Sequence, residues 1–367
     1  YIGLMSGTSM DGVDGALCRF KSDGQWDGVV AHIHHPFDPA LQRSLQRLQS
    51  NGPDELHQAA LAGNALALAY AAVCTDLLLR AEVSAGEVRA IGAHGQTVRH
   101  RPGEFDGTGY TLQLNQPALL AERTGIDVIA DFRSRDVAAH GQGAPLVSPF
   151  HKAAFGLADR VQVVANIGGI SNLTVLRPTA APLGFDCGPG NALLDHWCTQ
   201  RTGEPFDEAG RWAATGQVQA TLLARLESEP YFAAPPPKST GRDLFNPSWL
   251  TKHLTGFEHL AAADVQATLS QLTARTIAHQ VTLHAPDAAD LLVCGGGALN
   301  LDLMQHLQAL LPGVMVVSTA QAGLPPMQVE AAAFAWLARQ HCHRETGSLA
   351  SVTGALGPRI LGACYPG

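Results

Sequence analysis

Lysine is scarce in this chain of 367 residues. Lys and Arg together number 24, and only Lys21, Lys152, Lys238 and Lys252 are lysine, so no polybasic run exists. Set against 32 Asp and Glu, the net charge is −8, which argues against a general nucleic-acid binder. Cysteine is present without a pattern. The seven cysteines stand singly, with no C-x-x-C pair, and read as reduced, buried thiols rather than a disulfide framework. The triplet His341-Cys342-His343 and the group His32, His34 and His35 hint at metal. Neighbouring residues rarely converge on one ion, however, and no second ligand group lies at zinc-like spacing. A helix end and an exposed loop are expected there. One long apolar run occurs, "AALAGNALALAYAAVCTDLLL" at 59–79. It has the length of a bilayer span, but alanine dominates it and Asn64, Thr75 and Asp76 interrupt it. It therefore reads as a crossover helix packed on a sheet. The opening residues show neither a basic n-region nor a cleavage site. The expectation is a cytoplasmic chain with no membrane segment and a few residues preceding Tyr1.

What is present is a core-forming composition, 46% hydrophobic and 15% charged, at a length suited to two domains. Strand-like and helix-like runs alternate ("VRAIGAHG" at 88–95, "YTLQL" at 110–114, "PALLAERTG" at 117–125, "DVIADF" at 127–132), which predicts α/β layers around a sheet. A repeat is visible. "YIGLMSGTSMDGVDGALC" (1–18) and "VQVVANIGGISNLTVL" (161–176) share one plan of strand, small polar turn and strand. Each half then carries a later strand ending in glycine, "VRAIGAHGQT" (88–97) and "DLLVCGGGALN" (290–300). Two related α/β domains follow from this.

The turns hold more polar chemistry than reversal of a chain requires. Glycine lets backbone N–H groups approach an anion, and hydroxyls add donors, so two such turns suggest a phosphate clamp. Each alone is better explained by a structural hairpin. In "LLVCGGGALN" a strand runs through three glycines towards a helix, which suits a polar ring edge or an anion. It is not G-x-G-x-x-G, and no lysine accompanies any glycine turn, so the dinucleotide, P-loop and protein-kinase signatures all fail. In "GFDCGPGNALLDHW" (184–197), Asp186 precedes a Gly188-Pro189-Gly190 turn, and Asn191 is placed to cap a helix. A carboxylate so held serves either as a general base or as a brace for its own turn.

Taken together and in order, Gly7–Asp14, Gly92–Thr97, Asn166–Asn172, Asp186–Asn191 and Cys294–Asn300 carry a resemblance. From Tyr1 to about Ala338 the chain resembles the anhydro-N-acetylmuramic acid kinases, within the sugar kinase, heat-shock cognate and actin superfamily. The resemblance implies two related domains of the actin-like ATPase (ribonuclease H-like) fold, with mixed sheets, flanking helices and an interdomain active-site cleft. Domain I would be 1–135 plus about 340–367, and domain II 136–339. It further implies ATP and Mg²⁺ as cofactors, with Gly7, Thr8, Ser9, Met10, Asp11, Gly12, Val13 and Asp14 around the phosphates and Asp11 near the metal. Asn166, Gly168 and Gly169 would form the second phosphate turn, and Gly295, Gly296, Gly297 and Asn300 the adenosine platform. Asp186 would be the catalytic base. His94, Gln96, Thr97 and Glu330 would line the sugar pocket. Arg133 would meet either the lactyl carboxylate or a neighbouring Asp131 or Asp136. "PKSTGRD" (237–243) receives no role.

The implied reaction opens the C1–O6 ether of 1,6-anhydro-N-acetylmuramic acid with water and phosphorylates O6 from ATP, giving N-acetylmuramic acid 6-phosphate for murein recycling in a cytoplasmic homodimer. An ordinary sugar or carboxylate kinase, or an actin- or chaperone-like ATPase switch, would share the motifs. Dependence of turnover on the anhydro-sugar separates them.

Overall fold

The computed structural model describes residues 1–7 and 9–367. Two compact units emerge, Tyr1–Ala154 with Met327–Gly367, and Phe155–Pro326. The first unit is built on a six-stranded mixed sheet. Its strands are β1 (Ile2–Met5), β2 (Gly12–Phe20), β3 (Trp26–Pro36), β4 (Ile91–Ala93), β7 (Val128–Ala130) and β13 (Ala363–Tyr365), in the order β13-β7-β4-β1-β2-β3. A separate ribbon pairs β5 (Gln96–Pro102) with β6 (Gly109–Leu114). In the second unit β8 (Gln162–Ile167), β9 (Ile170–Leu176), β10 (Leu183–Pro189), β11 (Asp290–Cys294) and β12 (Met315–Ser318) lie in the order β10-β9-β8-β11-β12.

The repeat read from the sequence is a repeat of topology. An antiparallel meander (β1-β2-β3 or β8-β9-β10) adds two parallel strands on the far side of its first strand (β4 and β7, or β11 and β12). The crossover into the fourth strand is a long helix each time, Glu55–Ala81 in one unit and Ala262–His284 in the other. Parallel neighbours need such a crossover, and a central strand covered on both faces reads as a continuous apolar run. β1 and β8 are buried at every position.

The apolar run at 59–79 lies within the Glu55–Ala81 helix. That helix is long and apolar enough to cross a membrane, yet it buries Leu66, Tyr70, Val73 and Leu77, a stripe at helical spacing, in the first unit's core. On the opposite sheet face the Val329–Cys342 helix comes very close. A Cβ on Gly3 would stand 1.8 Å from the Ala331 carbonyl oxygen, and one on Gly92 2.1 Å from that of Phe334. The helix therefore belongs to the first unit, and Phe150 of the 148–155 helix packs on Trp26 there as well. The boundaries expected at 135/136 and 339/340 fall inside this unit, because tertiary packing rather than the repeat decides where each helix docks.

Two smaller expectations are corrected. His32, His34 and His35 occupy β3 rather than a loop, with His32 and His34 both against Asp14. Five cysteines are buried, but Cys342 is half-buried and Cys364 exposed; all seven are reduced thiols.

Candidate active site

In the first unit the β1–β2 turn is held from beneath. Ser6 is buried and donates to the Gly95 carbonyl at 3.1 Å, while its Oγ lies 3.0 Å from the Tyr70 hydroxyl. That hydroxyl accepts the Gly95 N–H at 3.1 Å. Tyr70 thus ties the turn to the strand end carrying His94 and Gln96. Its tertiary role had no motif to mark it, apart from being a polar-tipped aromatic in an alanine-rich helix. Gln96 donates to the Gly7 carbonyl at 3.0 Å, and its own Oε1 is buried with no partner among the described residues. Gln42 donates to the Met10 carbonyl at 2.9 Å. Met10 holds φ of 56°, a strained conformation for a bulky residue that costs roughly 1–3 kcal/mol; the surrounding bonds and a buried side chain keep it there.

These contacts sort the residues expected around phosphate. Met10 and Val13 send their side chains into the core, leaving only backbone for a ligand. Asp14 accepts from His32 at 3.1 Å and His34 at 3.2 Å. Burial works against its charge, but the two histidine bonds prevail and hold its carboxyl below the ordinary value. Gly12 is required by packing, since a Cβ would meet the His35 carbonyl at 2.2 Å. Gly7 is different, with only Ser9 Oγ at 3.7 Å. Asp11 is exposed and accepts the Ser9 hydroxyl at 2.7 Å. Thr8 lies outside the described residues.

The same unit gathers His94, Arg133 and Glu330. Arg133 donates through Nε at 3.0 Å and is 2.8 Å away through Nη2, both to His94 Nε2, and donates through Nη1 to the Gly143 carbonyl at 2.7 Å. Guanidinium has no lone pair to offer, so His94 Nε2 is the acceptor and Nδ1 carries the proton. Burial, reinforced by Arg133, drives the His94 pKa well below the usual range and keeps the ring neutral. The ring rests 4.7 Å from Phe334; Glu330 stands one turn earlier on the same helix face. Asp131 accepts from Ser134, and Asp136 accepts from the Gly143 N–H and Thr353. Thr97 Oγ1 accepts from Gln113 at 3.2 Å. A groove of 590 Å³ along the β3 edge, lined in part by Val30, His32 and Arg80, contains none of the expected residues.

In the second unit Asp186 sits within β10, not on a turn ahead of a helix, because the strand continues through Pro189. A bulge separates Asp186 from Gly188, a device that re-aims side chains beside functional sites. Asp186 is 5% exposed, and its Oδ2 accepts the Thr240 N–H at 2.9 Å. Its backbone N–H donates to the Lys238 carbonyl at 3.2 Å, and its carbonyl accepts the Tyr231 hydroxyl at 2.8 Å. The Pro-rich loop therefore wraps the candidate base. Phe232 and Phe245, stacked 5.5 Å apart, pin its ends. Lys238 is buried, donates to the Tyr231 carbonyl at 3.2 Å and stands 4.7 Å over the Tyr231 ring. Burial lowers its pKa. Residues 237–243 received no role from the sequence, because no local pattern specifies where the loop docks.

The end of β10 is stitched to the β8–β9 turn. The N–H groups of Gly190 and Ala192 donate to the Gly169 carbonyl at 2.9 and 3.1 Å, and that of Asn191 to Gly168 at 2.8 Å. Asn191 does not cap its helix through the side chain; its Nδ2 donates to the Ile167 carbonyl at 3.2 Å. A Cβ on Gly168 would find only the Ile170 carbonyl at 3.7 Å, whereas one on Gly297 would collide with Ile167 at 2.4 Å. Asn166 Oδ1 would meet a Cβ on Gly295 at 2.6 Å and receives the Cys294 thiol at 3.7 Å. Gly296 opens a short 3₁₀ turn, and Asn300 caps the helix beginning at Leu301 by accepting from the Leu303 N–H at 3.0 Å. Asn166, Gly295, Gly297 and Asn300 thus shape the loop, while Gly168 leaves room.

The sequence profile described as anhydro-N-acetylmuramic acid kinase matches residues 1–367, so the likeness runs past Ala338 to the last residue. The chain is 60% identical over 371 residues to the anhydro-N-acetylmuramic acid kinase of Variovorax paradoxus (strain S110), covering 100% of this chain and 98% of that one. It is 58% identical over 386 residues to the enzyme of that name from Albidiferax ferrireducens, covering 100% and 99%. Among solved structures, the (R)-2-hydroxyglutaryl-CoA dehydratase component A of Acidaminococcus fermentans is 12% identical with a TM-score of 0.48, over 91% of this chain and 95% of that one. The chain belongs to the anhydro-N-acetylmuramic acid kinase family.

Proposed function

We propose that this kinase uses water and ATP to convert 1,6-anhydro-N-acetylmuramic acid into N-acetylmuramic acid 6-phosphate, with Asp186 as the base. The observation that supports this most directly is the stitching of the Asp186 strand to the Gly168–Gly169 turn. It sets a buried carboxylate and a turn with room for phosphate in one rigid block. Asp186 takes a proton from water as the water oxygen bonds to C1. The C1–O6 bond breaks, and O6 bonds to the γ-phosphorus as ADP leaves. An inverting glycosidase supplies an acid for the leaving oxygen; here phosphoryl transfer to O6 takes that place. Positioning and charge neutralisation carry such a transfer.

The Gly7 turn and Gly168 serve the phosphates by backbone N–H groups. Asp11, a single exposed carboxylate, fits Mg²⁺ held mostly through water and phosphate oxygens, and the ion would neutralise phosphate charge. Neutral His94 and the orphaned Gln96 Oε1 offer a donor and an acceptor to sugar hydroxyl or amide groups. Arg133, already bonded to His94, suits the lactyl carboxylate. A cytoplasmic homodimer active in murein recycling belongs to the same proposal and rests on the family.

The test is ATP consumption with anhydro-N-acetylmuramic acid, glucose and N-acetylglucosamine, in parent and Asp186→Asn. Fast turnover is expected with the anhydro-sugar alone, falling ~10²–10⁴-fold in the variant. In rapidly quenched product, ¹⁸O from water should appear at C1 and not in phosphate. Sugar-independent hydrolysis would indicate a switch ATPase, and unlabelled C1 an ordinary kinase.

A further inference from the structure

On β9, Asn172 stands directly opposite Asp186 of β10 and opposite Asn166 of β8. Leu173 and Phe185, the next residues along, face the apolar core, so Asn172 and Asp186 share the other face of the sheet. The Asn172 Oδ1 atom is buried and has no hydrogen-bond partner among the described residues. A buried carbonyl oxygen without a donor is a cost to folding. It lies beside a carboxylate whose Oδ2 is already committed to the Thr240 N–H. Opposed residues on one sheet face have Cβ atoms about 5 Å apart. Side chains rooted at that spacing can both reach one water that donates a proton to each, at roughly 2.8 Å per hydrogen bond.

We propose that Asn172 is the second acceptor for the attacking water. Asn172 Oδ1 accepts one O–H, Asp186 accepts and then removes the other proton, and the oxygen lone pairs, on the side away from those two O–H bonds, face C1. The Asn172 bond transfers no proton. It fixes the orientation of the water, so its loss slows the chemical step and leaves ligand binding alone. This rests on the reading of Asp186 as the base for water.

The experiment compares full-length Asn172→Leu, Asn172→Asp and Asp186→Asn for kcat, for KM of ATP and anhydro-sugar, and for thermal unfolding. Asn172→Leu keeps the volume and removes the orphaned oxygen. It should lower kcat about 100-fold, the cost of a misplaced reactant, with both KM values within about threefold. Its Tm should equal or exceed the parent's, because an uncompensated polar atom is gone; a brace would lower it. Asn172→Asp retains an acceptor oxygen and should keep turnover at least tenfold above Asn172→Leu. Three results overturn the inference: an Asn172→Leu kcat within threefold of parent, a lowered Tm with both KM values raised, or an Asn172→Asp variant as slow as Asp186→Asn. The last decides even if the leucine variant does not fold. Near-parental turnover in Asp186→Asn would instead remove the base reading itself.

Discussion

Glycines kept open for a ligand and glycines kept for packing make opposite predictions on substitution by alanine. At Gly168 an added Cβ meets nothing closer than the Ile170 carbonyl at 3.7 Å, an ordinary contact. Gly168 also lies outside the left-handed region, so alanine suits its backbone. Gly168→Ala should therefore leave the Tm unchanged or raise stability by about 0.4–1 kcal/mol through the unfolded chain. The new methyl projects from the turn assigned to phosphate and would hold an incoming oxygen off its N–H donor. Hydrogen bonds to charged groups contribute about 1.5–3 kcal/mol, so the Kd for ATP should rise about 10- to 150-fold. At Gly297 the methyl would stand 2.4 Å from Ile167 Cγ2, an overpacking cost of about 1–3 kcal/mol. At about 2–4 °C per kcal/mol for a unit of this size, the Tm should fall about 2–12 °C. Calorimetric titration with a non-hydrolysable ATP analogue and scanning calorimetry read both quantities on both variants. Parental nucleotide affinity in a folded Gly168→Ala would refute the phosphate assignment of that turn.

Three further outcomes are expected. Gly3→Ala places a methyl 1.8 Å from the Ala331 carbonyl and should destabilise the first unit by about 3 kcal/mol or more; an unchanged Tm would mean the Val329–Cys342 helix docks elsewhere. Hydrogen bonding to Asp14 raises the His34 pKa, so while Asp14 stays ionised the stability gained by His34 is full below about 6.5 and is lost as pH rises through the raised folded value. Unfolding curves for His34→Ala should lack that decline, and a parental slope would assign it to another group. Lys238→Met removes the ammonium held by the Tyr231 carbonyl. It should free the loop that presents Thr240 to Asp186, lowering both Tm and kcat; a parental kcat would separate the loop from catalysis.

Alternating apolar and glycine-polar runs gave the two meanders, because the strand period and the turn chemistry are local properties, and β1-β2 and β8-β9 lie where the repeat put them. The ordered set of motifs likewise carried the family. Tertiary structure decided the rest. Asp14, read as a phosphate neighbour, faces His32 and His34, because strand pairing with β3 determines what stands opposite it. Glycines that look alike in sequence divide into open (Gly7, Gly168) and packed (Gly12, Gly297), since only a distant neighbour fills or leaves the space of a Cβ. The Val329–Cys342 helix belongs to the first unit because Gly3 and Gly92, hundreds of residues earlier, let its backbone approach. Tyr70, Thr240 and Asn172 owe their place at the site to contacts or strand pairing beyond their own segments, and no local pattern of residues encodes such partners.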